Sequence, residues 1–395
     1  MPKALEGIRV LGATRLLAGP YCESLLGDMG AEVLSIEMPG IGDENRMSYP
    51  VYKGVGTCYL ATNRNKKSIT LKLSTPEGQE IFKELVKISD IVIENNRPGT
   101  MAKWGLGYED LKKVNPGIIM ASISGYGQYG PYSERAGLDV AAQAMGGLMS
   151  ITGMPGGPPL RVGNALSDFM GGIYTAYGIL AALHYKTKTG LGQYIDDALA
   201  DNIMAMLENV VPNYDLMGTI PIRDGSRIAW VAPYNCYQAT DGYLTIGATT
   251  NVLFHRFCRV IGREDLIGHP DFIDPSARVK NVDKVDEVVQ EWVGTKTVKE
   301  VVDLLAENAI PCSKVNTVVD LVTDPHIKAR EMFVEVEYPE VGKFRVAGVT
   351  PKLSLTPGKV ETPPPTIGQH NDEIYRGLLK LSDEKIEDLT EKGVI

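Results

Sequence analysis

Short, almost continuous apolar runs alternate with helical patterns along the first third of the chain. IRVLGAT, AEVLSIE, SITLKL, DIVIEN and GIIMASISG each read as a strand, the last of them buried, because apolar and β-branched residues crowd together there. Between them lie segments of helical period. PYCESLLGDMG opens with Pro20, whose fixed φ suits a first helical turn, and closes at Gly30. In PEGQEIFKELVKIS the apolar Ile81, Leu85 and Ile88 recur at helical spacing, with Thr75 and Pro76 as start signals. YEDLKKVNP supplies another short helix. Alternation of this kind predicts a mostly parallel sheet covered by helices, an α/β fold.

Beyond Ile151 the texture changes. The Gly/Pro-rich GMPGGPPLRVGN precedes a long helix from about 168 to 185, KTKTGLGQ turns the chain, and IDDALADNIMAMLENVVPNY is expected to continue as an amphipathic helix. IPIRDGSR is a polar connector. CYQATDGYLTIGATT predicts a hairpin about Asp241 and Gly242, followed by helices in NVLFHRFCRVIG, VDKVDEVVQEWVG and TVKEVVDLLAENA, which together read as a smaller α+β domain. VEVEYPEVGKFRVAG alternates as strands do, TPPPTIGQHN is a stiff linker, and NDEIYRGLLKLSDEKIEDLTEKG ends the chain helically.

The length of 395 residues suits two or three domains. Forty basic against 49 acidic residues leave a formal charge of −9, which argues against nucleic acid or an anionic membrane surface as the main partner. An anionic ligand therefore needs a local cationic site. The five cysteines are scattered and read as reduced cytosolic thiols, and the opening MPKALEGIRVLG lacks the pattern of a secretory leader, so a cytoplasmic protein is expected. The uncharged stretch 169–185 is at the lower limit of a membrane span and carries Gly171, Gly172 and Gly178, which suit a buried helix better.

Several motifs resemble known chemistry without meeting its requirements. GYGQYG, Gly125 to Gly130, matches the dinucleotide fingerprint after a strand, yet Pro131, Tyr132 and Ser133 continue as loop where that site requires a helix. Glu37 ends a strand where a ribose ligand could stand, but GATRLLAGP lacks the glycines for pyrophosphate, and Glu37 reads as a solvated strand end. The histidines form no close-spaced metal motif, and no G-x-S-x-G occurs. More informative is Asp168, which opens a helix between a Gly/Pro loop and Gly171–Gly172. It suits either an N-cap or a reacting carboxylate, and the glycines suit either close ligand approach or helix packing.

The blocks LAGPYCESLLGDMGAEVLSIE, NRNKKSITLKL, DIVIENNRPGTMAKWGLGYEDL, ISGYGQYGPYSERAGLD, the Asp168 helix, KTGLGQ, CYQATDGY and DPHIKAREMF run in order almost end to end. In these the chain resembles the class III CoA-transferases, which include formyl-CoA and carnitine-type CoA-transferases and are related to 2-methylacyl-CoA racemases. The resemblance implies an interlocked homodimer of ring-like protomers. Each would have a large Rossmann-like domain built from N- and C-terminal segments (1–200 and 346–395), linkers at 201–225 and 326–345, and a small α+β domain at 226–325. It also implies that Asp168 is the nucleophile, attacking an acyl-CoA thioester to give an aspartyl mixed anhydride and then an aspartyl-CoA thioester, from which CoA passes to a carboxylic acid.

The resemblance carries further roles position by position. Asn95, Arg97 and Lys103 match positions around the nucleotide of CoA, Arg97 and Lys103 as phosphate contacts; Lys103 stands where relatives often have Arg. Ala18 and Leu71 match positions near adenine or pantetheine, and Met38 replaces a common arginine. In the acyl pocket, Leu138 in Gly137-Leu138-Asp139 replaces the racemase histidine, which argues against racemisation because leucine exchanges no proton. Leu17 replaces the glutamine of formyl-CoA:oxalate enzymes. Arg15 is a candidate holder of an acid's carboxylate, with Arg46, Tyr126 and Tyr132 as further candidates. CoA transfer between carboxylic acids is thus expected, without metal or separate cofactor, the CoA thioester being a substrate. The alternatives are a CoA-thioester isomerase or racemase, and a non-catalytic CoA-binding relative.

Overall fold

In the computed structural model, which describes residues 2–395, six strands form the centre of the larger of two units. β1 (Arg9–Ala13), β2 (Glu32–Glu37), β3 (Lys66–Thr70), β4 (Ile91–Glu94), β5 (Ile119–Ser124) and β6 (Tyr194–Ala198) pair in the order β3-β2-β1-β4-β5-β6, parallel at every step. Helices α1 (Ala18–Asp28), α2 (Pro76–Lys87), α3 (Tyr108–Val114), α4 (Asp139–Met145) and α5 (Leu166–Thr189) accompany them.

Successive strand residues point to opposite faces, so the continuous apolar runs build two cores. Val10, Val33, Ile91 and Ile119 pack with Cys22 and Leu26 of α1 and with Ile179 and Leu183 of α5. Leu11, Leu34, Val92 and Met120 pack on the other face with Phe82 and Leu85 of α2. That second core also takes Ile374, Tyr375, Leu389 and Val394 from the end of the chain. Tyr375 donates from its hydroxyl to the Thr70 carbonyl at 2.6 Å, fixing the C-terminal segment to β3. α5 is long and apolar enough to cross a bilayer by length and composition, yet its inner face is packed in the first core.

Three readings of the sequence change. Tyr194–Ala198 is a strand at the sheet edge rather than the start of an amphipathic helix, and the helical pattern after it breaks into α6 (Leu199–Met204) and a separate helix at Val210–Met217. Pairing to β5 overrides the local pattern, and Gly192 permits it: a Cβ there would stand 1.8 Å from the Ile118 carbonyl oxygen. Glu37 is buried rather than solvated, its carboxylate held by Arg46 at 2.6 Å and by the Ser68 hydroxyl. The C-terminal helix is interrupted: Glu373–Leu378 is one short helical segment, and Ser382 caps a second, Asp383–Glu391.

The larger unit comprises Met1–Met149, Arg161–Thr219 and Pro325–Ile395. It includes the hairpin Phe333–Tyr338 with Gly342–Ala347. The smaller unit comprises Ser150–Leu160 and Ile220–Asp324. Its antiparallel sheet joins β7 (Tyr234–Ala239), β8 (Gly242–Gly247) and β9 (Cys312–Lys314) in the order β9-β8-β7. Helices Asn251–Val260, Val282–Val293 and Val298–Glu307 bury Phe257, Val289, Val301 and Leu305 against Tyr237 and Leu244.

Candidate active site

The strand order itself creates the site. From β1 the chain winds outward through β2 to β3, then crosses back to place β4 on the other side of β1, leaving a crevice above the C-terminal ends where the direction reverses. The segments after β1 (Arg15–Ala18), β4 (Asn95–Pro98) and β5 (from Gly125) line one cleft of ≈ 390 Å³ there. Arg135 to Leu138, Glu44 and Asp168 complete it. Ala18, Asn95, Arg97, Arg15, Leu17, Leu138 and Asp168 are therefore brought together.

Asp168 is the third residue of α5, not its cap. Ala165 occupies the cap position without a side-chain bond, and the first-turn amide is satisfied from outside by Asp139. The Ser167 N–H and hydroxyl donate to Asp139 Oδ1 at 2.9 and 2.8 Å, and Gln143 Nε2 donates to the same carboxylate at 2.9 Å. Gln143 in turn accepts from the Val162 N–H at 3.0 Å, so the loop entering α5 is fixed to α4. The half-buried Asp168 carboxylate consequently has no capping duty. Burial, with the Asp139 charge adding to it, pushes its carboxyl up to about 7.

The glycines serve packing. A Cβ on Gly171 would meet Leu199 Cδ2 at 2.5 Å, and one on Gly172 would meet Tyr21 at 2.8 Å and the Ala18 carbonyl at 3.0 Å, so α5 lies directly on α1. In GYGQYG, Gly125 touches Gly137 backbone to backbone: a Cβ on Gly125 would lie 2.6 Å from Gly137 Cα. The fingerprint-like glycine thus lets two loop segments close one wall of the cleft, and the chain after Gly130 continues as turn.

Other predicted residues lie elsewhere. Leu71 is buried in the second core, and Lys103 is exposed at the end of the short helix Thr100–Lys103; neither lines the cleft. Arg46 is corrected outright: it is buried, paired with Glu37 and bonded to the Tyr59 and Tyr338 hydroxyls, so it cannot hold a substrate carboxylate. Tyr132 sits beneath the Arg135 guanidinium at 3.6 Å and edge-on to Tyr126, both outside the lining. Sequence reasoning missed Asp139–Gln143, although an acid and an amide four apart on a helix are a legible pair. It also missed Glu44 and Arg135, which carry no motif.

The chain is similar from end to end to proteins of one family. The family model for CoA-transferase family III matches residues 5–371. The chain is 39% identical over 396 residues to a succinyl-CoA–D-citramalate CoA-transferase of Chloroflexus aurantiacus, covering 100% of this chain and 98% of that protein. It is 36% identical over 394 residues to the human succinyl-CoA:glutarate CoA-transferase, covering 100% and 90%. A crystal structure of a CAIB/BAIF family protein from Brucella suis superposes with a TM-score of 0.84 at 34% identity, over 95% of this chain and 99% of that one. With its parallel sheet, its switch-point cleft and end-to-end similarity to these proteins, the chain belongs to CoA-transferase family III and is a class III CoA-transferase.

Proposed function

We propose that the protein moves CoA from a dicarboxylic acyl-CoA such as succinyl-CoA to a second carboxylic acid, with Asp168 as the covalent relay. The observation that carries the reading is the Asp168 carboxylate itself, lining the switch-point cleft, relieved of capping by Asp139 and raised toward neutrality. Both curated relatives named above are called succinyl-CoA transferases, with citramalate or glutarate as partner acid.

In the first step an Asp168 oxygen attacks the thioester carbonyl, the C–S bond breaks, and CoA leaves as thiolate. The thiolate attacks Asp168 Cγ, giving aspartyl-CoA and releasing the donor acid as carboxylate. The acceptor carboxylate then attacks the same carbon and expels the thiolate again. Attack of that thiolate on the acceptor's acyl carbon regenerates Asp168 and releases the new acyl-CoA. No net proton moves, and one difficult exchange is divided into smaller steps. A raised carboxyl is a stronger nucleophile once ionised, and the N-terminus of α5 favours negative charge developing beside it. Leu138, in the same cleft, offers no proton carrier, which favours transfer over racemisation.

CoA in this reading is a substrate, no further cofactor takes part, and Ala18, Leu71, Asn95, Arg97 and Lys103 contact it. Lys103 and Leu71 would do so from outside the cleft. The functional protein is an interlocked homodimer working in the cytoplasm. The apolar Ile173, Tyr177 and Leu180, exposed along one stripe of α5, support burial against a second copy.

A panel of acyl-CoA donors against carboxylic acids tests the reaction. Transfer is expected to require both substrates and to fall at least about 1,000-fold in Asp168→Ala. Hydroxylamine is expected to trap a derivative on Asp168 when donor is present. Transfer surviving in Asp168→Ala, or α-proton exchange into a lone acyl-CoA, would overturn the mechanism.

A further inference from the structure

Three arginines, Arg15, Arg97 and Arg135, line the cleft that contains Asp168. Arg97 belongs with the CoA contacts, and Arg135 is stacked on Tyr132. Arg15 has neither use. Its backbone is held twice by one side chain: the Arg15 N–H donates to Asn95 Oδ1 at 2.9 Å, and Asn95 Nδ2 donates to the Arg15 carbonyl at 2.7 Å. The next residue, Leu16, has φ 64°, a conformation that bulky L-residues seldom adopt. Asp43 accepts from the Leu16 N–H at 3.1 Å, and the Asn45 side-chain amide donates to its carbonyl. Asp43 and Asn45 flank Glu44, so the backbones that carry Arg15 and Glu44 are tied to each other.

Their side chains make one loose contact. Arg15 Nη1 meets Glu44 Oε1 at 3.3 Å, through one nitrogen, with both groups half exposed. The structural pairs Arg46–Glu37 and Arg64–Asp28 close to 2.6 Å and are buried. A long, one-point pair between solvated groups contributes little to stability, so it cannot be what the strained, cross-tied backbone exists to support. A planar guanidinium with most of its donors unused fits a carboxylate presented from the cleft, which can engage it through two parallel bonds.

We propose that Arg15 binds the distal carboxylate of a short dicarboxylic substrate, and that Glu44 is its resting counter-ion, displaced when that substrate enters. The inference rests on the transferase reading for its reaction and adds the group that selects the substrate's charge. An acid with a neutral tail has nothing to exchange for Glu44, so the pair stays closed against it. A dicarboxylate replaces one weak ion pair with a stronger one.

Binding decides this separately from turnover. In the full-length protein carrying Asp168→Ala, so that thioesters are not consumed, calorimetry with succinyl-CoA, butyryl-CoA and free CoA is expected to show succinyl-CoA bound about 10- to 100-fold tighter than butyryl-CoA. Adding Arg15→Gln is expected to erase that preference and to leave free CoA within about 3-fold, while Arg15→Lys restores part of it. Glu44→Gln is expected to tighten succinyl-CoA several-fold and butyryl-CoA not at all. Equal binding of the two thioesters by the starting protein would overturn the proposal, as would an equal loss for all three ligands in Arg15→Gln, the mark of a CoA phosphate contact. No shift in Glu44→Gln would remove the counter-ion role. A preference that depends on Arg15 in a protein that transfers no CoA would uphold the subsite and overturn the transferase reading instead.

Discussion

The Asp168 carboxyl connects pH, activity and stability in one side chain. Its folded-state value of about 7 lies above the ordinary 3.8, so the folded protein holds this proton more tightly than the unfolded chain does. The stability contributed by that proton is fully present below about 4 and is lost as pH rises through about 7. Asp43 and Asp197, each raised by burial to about 6, act in the same direction. Ionised Asp168 is nonetheless the form that attacks. We therefore expect kcat/KM to rise with pH up to about 7 and then level, and Asp139→Asn to move that limb to lower pH by removing the like charge. Asp168→Asn should be inactive yet more stable than the parent at pH 8, by on the order of 2 kcal/mol, with the gap closing toward pH 4. Urea denaturation at the two pH values checks this. A variant no more stable than the parent at pH 8 would refute the burial cost.

Among the elements, the contact of α5 with α1 sets where Asp168 stands, and it depends on the absence of one methyl group. Gly172→Ala would place a Cβ 3.0 Å from the Ala18 carbonyl, which is backbone and cannot rotate away. A loss of about 1–3 kcal/mol is expected, with a larger fractional loss of CoA transfer than of stability because α5 carries the nucleophile. Thermal melts with steady-state assays separate the two effects. The same scale shows what the sequence made legible. The strands β1 to β5 announce themselves because burial on both faces demands runs of apolar residues. β6 does not, since YIDDA at the sheet edge is half polar and reads equally well as one face of a helix. Asp168 was legible as an acid at a helix opening, but its release from capping depends on Asp139, 29 residues earlier, and no local pattern encodes that pairing. Glu37 was read as solvated and Arg46 as free for a substrate for a related reason: a charged residue looks unpartnered until the fold supplies its counter-ion.

Across the whole molecule, the two cores of the parallel sheet differ in where their residues come from. The core between the sheet and α5 draws only on residues up to Ala200, whereas the core on the α2 face includes Ile374, Tyr375, Leu389 and Val394. Deleting 371–395 removes these four buried side chains, worth about 1.5–3 kcal/mol each for full burial, a sum comparable to the stability of an entire domain. The truncated chain should accordingly lose cooperative unfolding of the larger unit, seen as a broad melt and rapid proteolysis near β3. A sharp melt at the parent's temperature would show that the last segment is dispensable. This division also sets an order of events during synthesis. A nascent chain can close the α5 face, and with it the wall bearing Asp168, long before the segment with Tyr375 and Leu389 has left the ribosome. For that interval the part of the α2 face that the last segment covers remains open and apolar, so the time between translating residue 200 and residue 395 is when this protein most needs a chaperone.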